Sequence, residues 1–159
     1  MPTPKATRRS LLAGCGALAT SALIVGPKRV RGTEANSAIS IGIIGAGDRG
    51  SAHIGKIGSL AQQHNVRISA ICDVWQVNQQ QAVGRVLRAG GDRPRTSTQF
   101  GELLSDKSVD AVVIATPDFA HGPILVAALE AGKDVYIEKP MTIDLGEANR
   151  ALDAARANN

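Results

Sequence analysis

Aromatic side chains are almost missing from this chain: Trp75, Phe100, Phe119 and Tyr136 are the only four among 159 residues. None is interleaved with a basic run, which excludes the stacking platform of a single-strand nucleic-acid binder. Cysteine is equally scarce, with only Cys15 and Cys72. Cys15 falls in a segment expected to be removed, so no structural disulfide is expected, and Cys72 closes an apolar run as a small core residue would. His53, His64 and His121 lack cysteine or carboxylate partners at ligand intervals, so no metal site is expected. A long hydrophobic run is also lacking. The weakly apolar stretch from Leu11 to Val25 is rich in alanine and glycine and too short for a convincing membrane span.

A basic face is absent as well, although the formal charge of +4 suggests one. Residues 1–38 carry Lys5, Arg8, Arg9, Lys28, Arg29 and Arg31 against Glu34, a net of +5. Residues 39–159 carry 12 basic and 13 acidic side chains, a net of −1. The globular part is therefore near neutral, and nucleic acid is not expected as a partner. The basic N-terminus has a different reading. Thr7-Arg8-Arg9-Ser10-Leu11-Leu12 sets an arginine pair directly before the apolar stretch and resembles a twin-arginine export signal. Residues 1–38 are thus expected to engage the export machinery and deliver a periplasmic or extracytoplasmic protein, cleaved near Ala35 or Ala38 and membrane-anchored if the leader is retained. That route moves folded proteins, which suits one that must acquire a nucleotide in the cytoplasm. Leu12-Ala13-Gly14-Cys15 also matches a lipoprotein cleavage box, though few apolar residues separate Arg9 from Cys15. A disordered basic N-terminus with an incidental arginine pair is the remaining alternative.

From Ile39 onward, strand and helix patterns alternate, as in a parallel sheet covered on both faces. Strands are predicted at Ile39–Ile44, Val66–Cys72, Val109–Ala115 and Asp134–Ile137, with a brief one inside Asp92–Thr98. The first helix is predicted at about Arg49–Gln63, with Ile54, Ile57 and Leu60 or Ala61 on one face. The second follows Asp73, places Ala82, Val83, Val86 and Leu87 at helical spacing and stops at Gly90-Gly91. A short helix carries Phe100, Leu103 and Leu104. The next has Pro123 in its first turn, Ile124, Leu125, Ala128 and Leu129 as its buried stripe, and Gly132 as its stop. A last helix is expected to bury Leu145, Ala148, Leu152 and Ala155.

The chemistry gathers at the predicted strand ends. After the first strand comes Gly45-Ala46-Gly47-Asp48-Arg49-Gly50, a G-x-G-x-x-G turn opening a helix. Gly45 permits the tight turn, Gly47 lets a pyrophosphate approach the backbone, and Gly50 lets helix and strand pack closely. The phosphates would lie on the positive helix end. A glycine-rich turn of this kind also serves flavin proteins, methyltransferases and plain structural turns. The second strand ends in Asp73, 23 residues after Gly50, where a carboxylate accepts ribose hydroxyls and repels a 2′-phosphate. NAD is therefore expected over NADP, with Arg49 the one nearby charge able to tolerate the extra phosphate. Asp73 as a helix cap is the alternative. In an open parallel sheet ligands sit at the carboxyl ends of strands, and Gly45, Asp73, Thr116 and Glu138 are all predicted there.

Together, Ile43-Ile44-Gly45-Ala46-Gly47-Asp48-Arg49-Gly50, Cys72-Asp73, Ala115-Thr116-Pro117-Asp118-Phe119-Ala120-His121 and Glu138-Lys139-Pro140 resemble the Gfo/Idh/MocA oxidoreductases over about Ile39–Asn159. The resemblance implies a Rossmann-like doubly wound α/β fold that binds a nicotinamide dinucleotide and acts on a sugar or polyol. It puts Thr116 and Pro117 near the nicotinamide-side ribose, and Asp118 and His121 at the next helix start lining the cleft. Glu138, Lys139 and Pro140 fall beside the nicotinamide, with Lys139 as the candidate catalytic residue, holding the substrate hydroxyl or helping remove its proton. For His121 a plain helix-start role stays open, and for Glu138 and Lys139 an exposed ion pair at a strand end.

Family members normally continue into a sixth strand and a larger α/β substrate domain carrying further catalytic residues. Residues 39–159 are accordingly expected to form an incomplete, by itself inactive, dinucleotide-binding domain, with an edge strand at Val135–Ile137 that favours self-association. An NAD-dependent glycosidase of the same family and a non-catalytic nucleotide-binding module remain as alternatives. A methyltransferase finds no support in Glu138-Lys139-Pro140.

Overall fold

Five parallel strands form one sheet in the order β3-β2-β1-β4-β5, in a computed structural model that describes residues 38–158. The expected leader lies outside the described residues apart from Ala38. The elements run β1 (Ile39–Ile44), α1 (Asp48–His64), β2 (Val66–Cys72), α2 (Gln76–Arg88), β3 (Arg95–Ser97), α3 (Phe100–Ser105), β4 (Ala111–Ile114), a single 3-10 turn (Asp118–Ala120), α4 (His121–Glu130), β5 (Asp134–Ile137) and α5 (Leu145–Ala157). This is the doubly wound α/β architecture expected from the alternation. The strand predicted from Val109 is shorter than expected, yet its surroundings hold: Val109 is fully buried, and the ladder extends to Asp110 N–H on Ser40 O (2.8 Å) and Ala115 N–H on Ile44 O (2.8 Å).

The strand pattern explains the two cores. Successive strand residues face opposite sides of a sheet, and Ile43 and Ile44, Ile71 and Cys72, Val113 and Ile114 divide accordingly. On one side, Ile43, Ile71 and Val113 pack with Ile54 of α1 and Ala82, Val83 and Val86 of α2. On the other, Ile44, Cys72 and Ile114 pack with Leu103 and Leu104 of α3, Ile124, Leu125 and Ala128 of α4, and Ala151 of α5. The sheet centre is thus covered on both faces, as near-continuous apolar parallel strands require.

Two expected faces are corrected. Leu87 is exposed, at the flank of the α2 stripe. On α5 the buried residues are Glu147, Ala151 and Ala154, whereas Leu145 and Leu152 are 75% and 47% exposed. The reason is close packing against α4. A Cβ on Gly122 would meet the Glu147 side chain at 2.1 Å, so the helix presents small residues and a folded-back glutamate to its neighbour, with no room for leucines. Helix α5 starts from an N-cap at Asp144, whose Oδ1 accepts the Glu147 N–H at 2.8 Å.

Edge strand β5 is paired only with β4 and is itself half-exposed, with Tyr136 standing outward. Phe119, Met141, Ile143 and Leu145 are also exposed. No helix among the described residues is long and apolar enough to cross a membrane.

Candidate functional site

The turn between β1 and α1 is built from three glycines, two of which are sterically required. Gly45 has φ +86°, and a Cβ there would lie 2.7 Å from the backbone of Ala115 and Thr116. On Gly50 a Cβ would lie 2.0 Å from the Gly45 carbonyl oxygen. Gly47 differs: the nearest atom to its missing Cβ is Asn78 Nδ2, at 3.8 Å. It is the N-cap of α1 and has no side chain to cap the first-turn amides. The empty space over Gly47 and the uncapped positive helix end together suit an anion. Asp48 and Arg49 are exposed on that first turn.

Asp73 follows β2 and is buried. Its Oδ2 accepts the Ala46 N–H of the glycine turn (2.7 Å) and Asn78 Nδ2 (3.2 Å), and its Oδ1 accepts the Trp75 N–H (2.8 Å). The carboxylate therefore ties the phosphate turn to the start of α2. A carboxylate offers about four acceptor positions; three are filled, leaving one for a ribose hydroxyl. Val74 and Trp75, directly after it, are exposed. Behind it, burial and then the charge of Asp73 push the Cys72 thiol up to about 11, so this cysteine stays protonated and inert at neutral pH.

At the end of β4, Thr116 and Pro117 lead into the 3-10 turn, where Asp118 Oδ1 accepts the Phe119 N–H at 2.8 Å and Asp118 itself is exposed. The hydroxyl of Thr116 is buried and has no hydrogen-bond partner among the described residues. His121 does not line the cleft as expected. It is 1% exposed, with Nδ1 2.5 Å from the Pro140 carbonyl oxygen and Nε2 2.9 Å from that of Thr116, so the ring ties the β4 end to the β5 end from behind.

Glu138, at the end of β5, is no exposed ion pair. Its Oε1 accepts Arg49 Nη2 (2.6 Å) and Nε (3.1 Å) and lies 2.7 Å from His53 Nε2, while Oε2 accepts the Lys139 N–H at 3.3 Å. Hydrogen bonds from Arg49 and then His53 hold its carboxyl well below the ordinary 4.5, at about 2. Lys139 is exposed beside it, followed by a cis bond to Pro140. Arg49 therefore turns towards β5, whereas Asp73 lies at the end of β2, three strand spacings away, roughly 14 Å at about 4.8 Å each. Its guanidinium is committed to Glu138 and does not serve a 2′-phosphate at Asp73.

The structure thus joins all four predicted strand ends: β1 to β2 through Asp73, β1 to β4 through the Gly45 contact, β4 to β5 through His121, and α1 to β5 through Glu138. Sequence reasoning missed His53 and Asn78. His53 lies four residues after Arg49, one helical turn on and so on the same face, which was the available signal. No group of three or more metal-ligating side chains occurs among the described residues.

Residues 39–159 match the sequence profile of GFO_IDH_MocA, described as an oxidoreductase family with an NAD-binding Rossmann fold. The chain is 30% identical over 121 residues to an alpha-N-acetylgalactosaminidase from Shewanella oneidensis, a match covering 74% of this chain and 26% of that protein. It is similar to the WlbA dehydrogenase from Bordetella pertussis, solved with NADH and UDP-GlcNAcA, at TM-score 0.66 and 26% identity, covering 76% of this chain and 34% of the other. A 3-ketoreductase from Actinomadura kijaniata, solved with NADP, aligns at TM-score 0.64 and 26% identity, over 76% of this chain and 35% of that one. The chain spans about a quarter of the length of the curated relatives it matches.

The two kinds of glycine separate experimentally. Gly50→Ala should destabilise the fold by about 1–3 kcal/mol, as overpacking does. Gly47→Ala removes no packing and should cost stability only about 1 kcal/mol or less, alanine being the poorer N-cap, yet weaken dinucleotide binding about tenfold or more, which is about 1.4 kcal/mol; urea unfolding and ligand titration check both. The Glu138 carboxylate sets an acid limit. Its folded-state value lies below the ordinary one, so its contribution is present above pH 4.5 and is lost as pH falls towards about 2. Urea unfolding across that window should show the wild type losing stability faster than Glu138→Gln.

Proposed function

Because the chain belongs to the Gfo/Idh/MocA oxidoreductase family, we propose that its NAD-binding Rossmann domain serves hydride transfer between a nicotinamide dinucleotide and the CH–OH group of a sugar or polyol. The observation that carries this reading is the convergence at the strand ends: an open glycine cradle, a buried carboxylate at the end of β2, an unpartnered Thr116 hydroxyl and the Lys139 side chain. Gly45, Gly47 and Gly50 would hold the pyrophosphate, Asp73 the adenosine ribose, and Thr116 and Pro117 the ribose on the nicotinamide side. When bound, the nicotinamide supplies hydride exchange with a substrate carbon. Lys139 would hold the substrate hydroxyl through its side-chain nitrogen, and only its neutral amine form would take up the hydroxyl proton. Proton transfer to a positioned side chain typically contributes about 10²–10⁴-fold in rate.

NAD is preferred over NADP in this reading. Asp73 is an anion beside the 2′ position, Arg49 is engaged with Glu138, and no basic residue occurs between Val74 and Ala82. The sugar or polyol substrate is supported by the names of relatives, one of which is a glycosidase; a transient oxidation that permits glycoside elimination uses the same hydride and proton acceptors and is the second reading. The edge strand β5 and the exposed apolar residues beside it support self-association. The arginine pair Arg8-Arg9 supports export by the twin-arginine route.

Titration of the full chain, followed by nicotinamide fluorescence, should show NADH binding and NADPH binding at least about tenfold weaker; no binding of either coenzyme overturns the proposal. Sedimentation of the same sample should show mass rising with concentration, and a monomer throughout removes the self-association. For export, fractionation of cells expressing the full chain should find the wild type outside the cytoplasm and the Arg8→Lys, Arg9→Lys double variant inside it. Equal distributions would remove the export reading.

A further inference from the structure

We propose that Arg49 and His53 are positioning residues for the nicotinamide end of the site, acting on the Lys139-Pro140 step through the Glu138 carboxylate. The proposal rests on the reading of Lys139 as a nicotinamide-side residue and adds the machinery that places it.

Three observations carry it. First, one carboxylate serves two partners far apart in sequence. Glu138 Oε1 is held by Arg49 and His53, both on α1 and 85 or more residues away, while Oε2 accepts the N–H of Lys139. The helix that starts at the phosphate turn is thereby connected through one side chain to the backbone of the candidate catalytic residue. Second, the arrangement is built to be stiff. The Glu138 side chain is only 9% exposed and takes three donors on a single oxygen, and His53 is fixed by an edge-on contact with the Tyr136 ring, 5.2 Å between centroids at 67°. Third, the far side of the same step is also held, since the Pro140 carbonyl faces His121 Nδ1 at 2.5 Å. Lys139 and Pro140 are therefore gripped from α1 on one side and from α4 on the other.

A plain stabilising ion pair is the competing explanation. Arg49 is 66% exposed, so solvent screens its part of the pair, and the stability that the carboxylate adds does not by itself require three donors on one oxygen. What the pair does provide is direction: a forked guanidinium and an imidazole fix the carboxylate plane, and the carboxylate fixes the Lys139 amide. Anything that seats the phosphate turn then also seats the residue beside the nicotinamide.

Two measurements on the full chain test this. In the ligand-free protein, exchange of the Glu138, Lys139 and Met141 amides should accelerate about fivefold or more in Arg49→Met and in His53→Gln, with exchange in β1 and β4 unchanged. In binding, each variant should lose about tenfold in affinity for NADH and less than about twofold for ADP-ribose, which lacks the nicotinamide. Arg49→Lys, which keeps the charge and loses the fork, should fall between Arg49→Met and wild type. Unchanged exchange at those amides, or equal losses for NADH and ADP-ribose, overturns the proposal. If the wild type binds neither ligand, the cofactor reading fails, and the exchange measurement still decides whether Arg49 and His53 govern the Lys139 backbone. Arg49→Met alters an exposed side chain and keeps the test open should the His53 variant not fold.

Discussion

The carbonyl oxygen of Gly45 lies so near the α-carbon of Gly50 that a single methyl group there would sit 2.0 Å from it, and Gly45 in turn is pressed onto the backbone of Ala115 and Thr116. This backbone-to-backbone contact sets the geometry of everything at the sheet's carboxyl edge. It brings the first turn of α1 over the ends of β1 and β4, fixes where a phosphate meets bare amides, and leaves the space above Gly47 open. Side chains larger than hydrogen at either position would lift the helix from the sheet, and the positive helix end would no longer point into the crevice.

Around this contact, buried polar groups do the joining that apolar packing cannot, because apolar side chains specify volume and polar ones specify direction. Asp73 and His121 each link two strand ends and Glu138 links α1 to the end of β5, and each is at least nine-tenths buried with its polar atoms engaged. A neutral hydrogen bond contributes on the order of 1 kcal/mol net, whereas a buried polar group left unpaired is penalised by about 1–3 kcal/mol. Such groups therefore exclude alternative arrangements more strongly than they stabilise the native one. The Thr116 hydroxyl is the exception, buried with no hydrogen-bond partner among the described residues.

How much of this was legible in the sequence depended on the range of the interaction. The five strands, the glycine turn and Asp73 were readable because each is encoded within a few residues by alternation, turn chemistry or an apolar run. The buried face of α5 was misread because leucine was assumed to mark the inside. The real determinant was Gly122 against Glu147, a contact between helices that no periodicity within α5 announces. His121 was expected in the cleft for the same reason: its position at a strand end was visible, but the carbonyl of Pro140, 19 residues on, was not. His53 looked idle beside two unrelated histidines, since its partner Glu138 lies on another strand.

The two ends of the crevice are consequently built in different ways. The β2 end is the more local, with Asp73 bonding to groups two and five residues on and to the glycine turn 27 residues before it, and it is of the kind that a Rossmann fold can carry unchanged from one chemistry to another. The β5 end is assembled from α1, β4, α4 and β5 by contacts that reach up to 89 residues along the chain. In the function proposed above, chemistry belongs to that second end, where Lys139 stands exposed at the edge of the sheet. Its surroundings can change through residues such as Arg49 and His53 without disturbing the nucleotide cradle. Relatives solved with NADH or with NADP, and named for different activities, fit such a division, which follows here from which contacts are short in sequence and which are long.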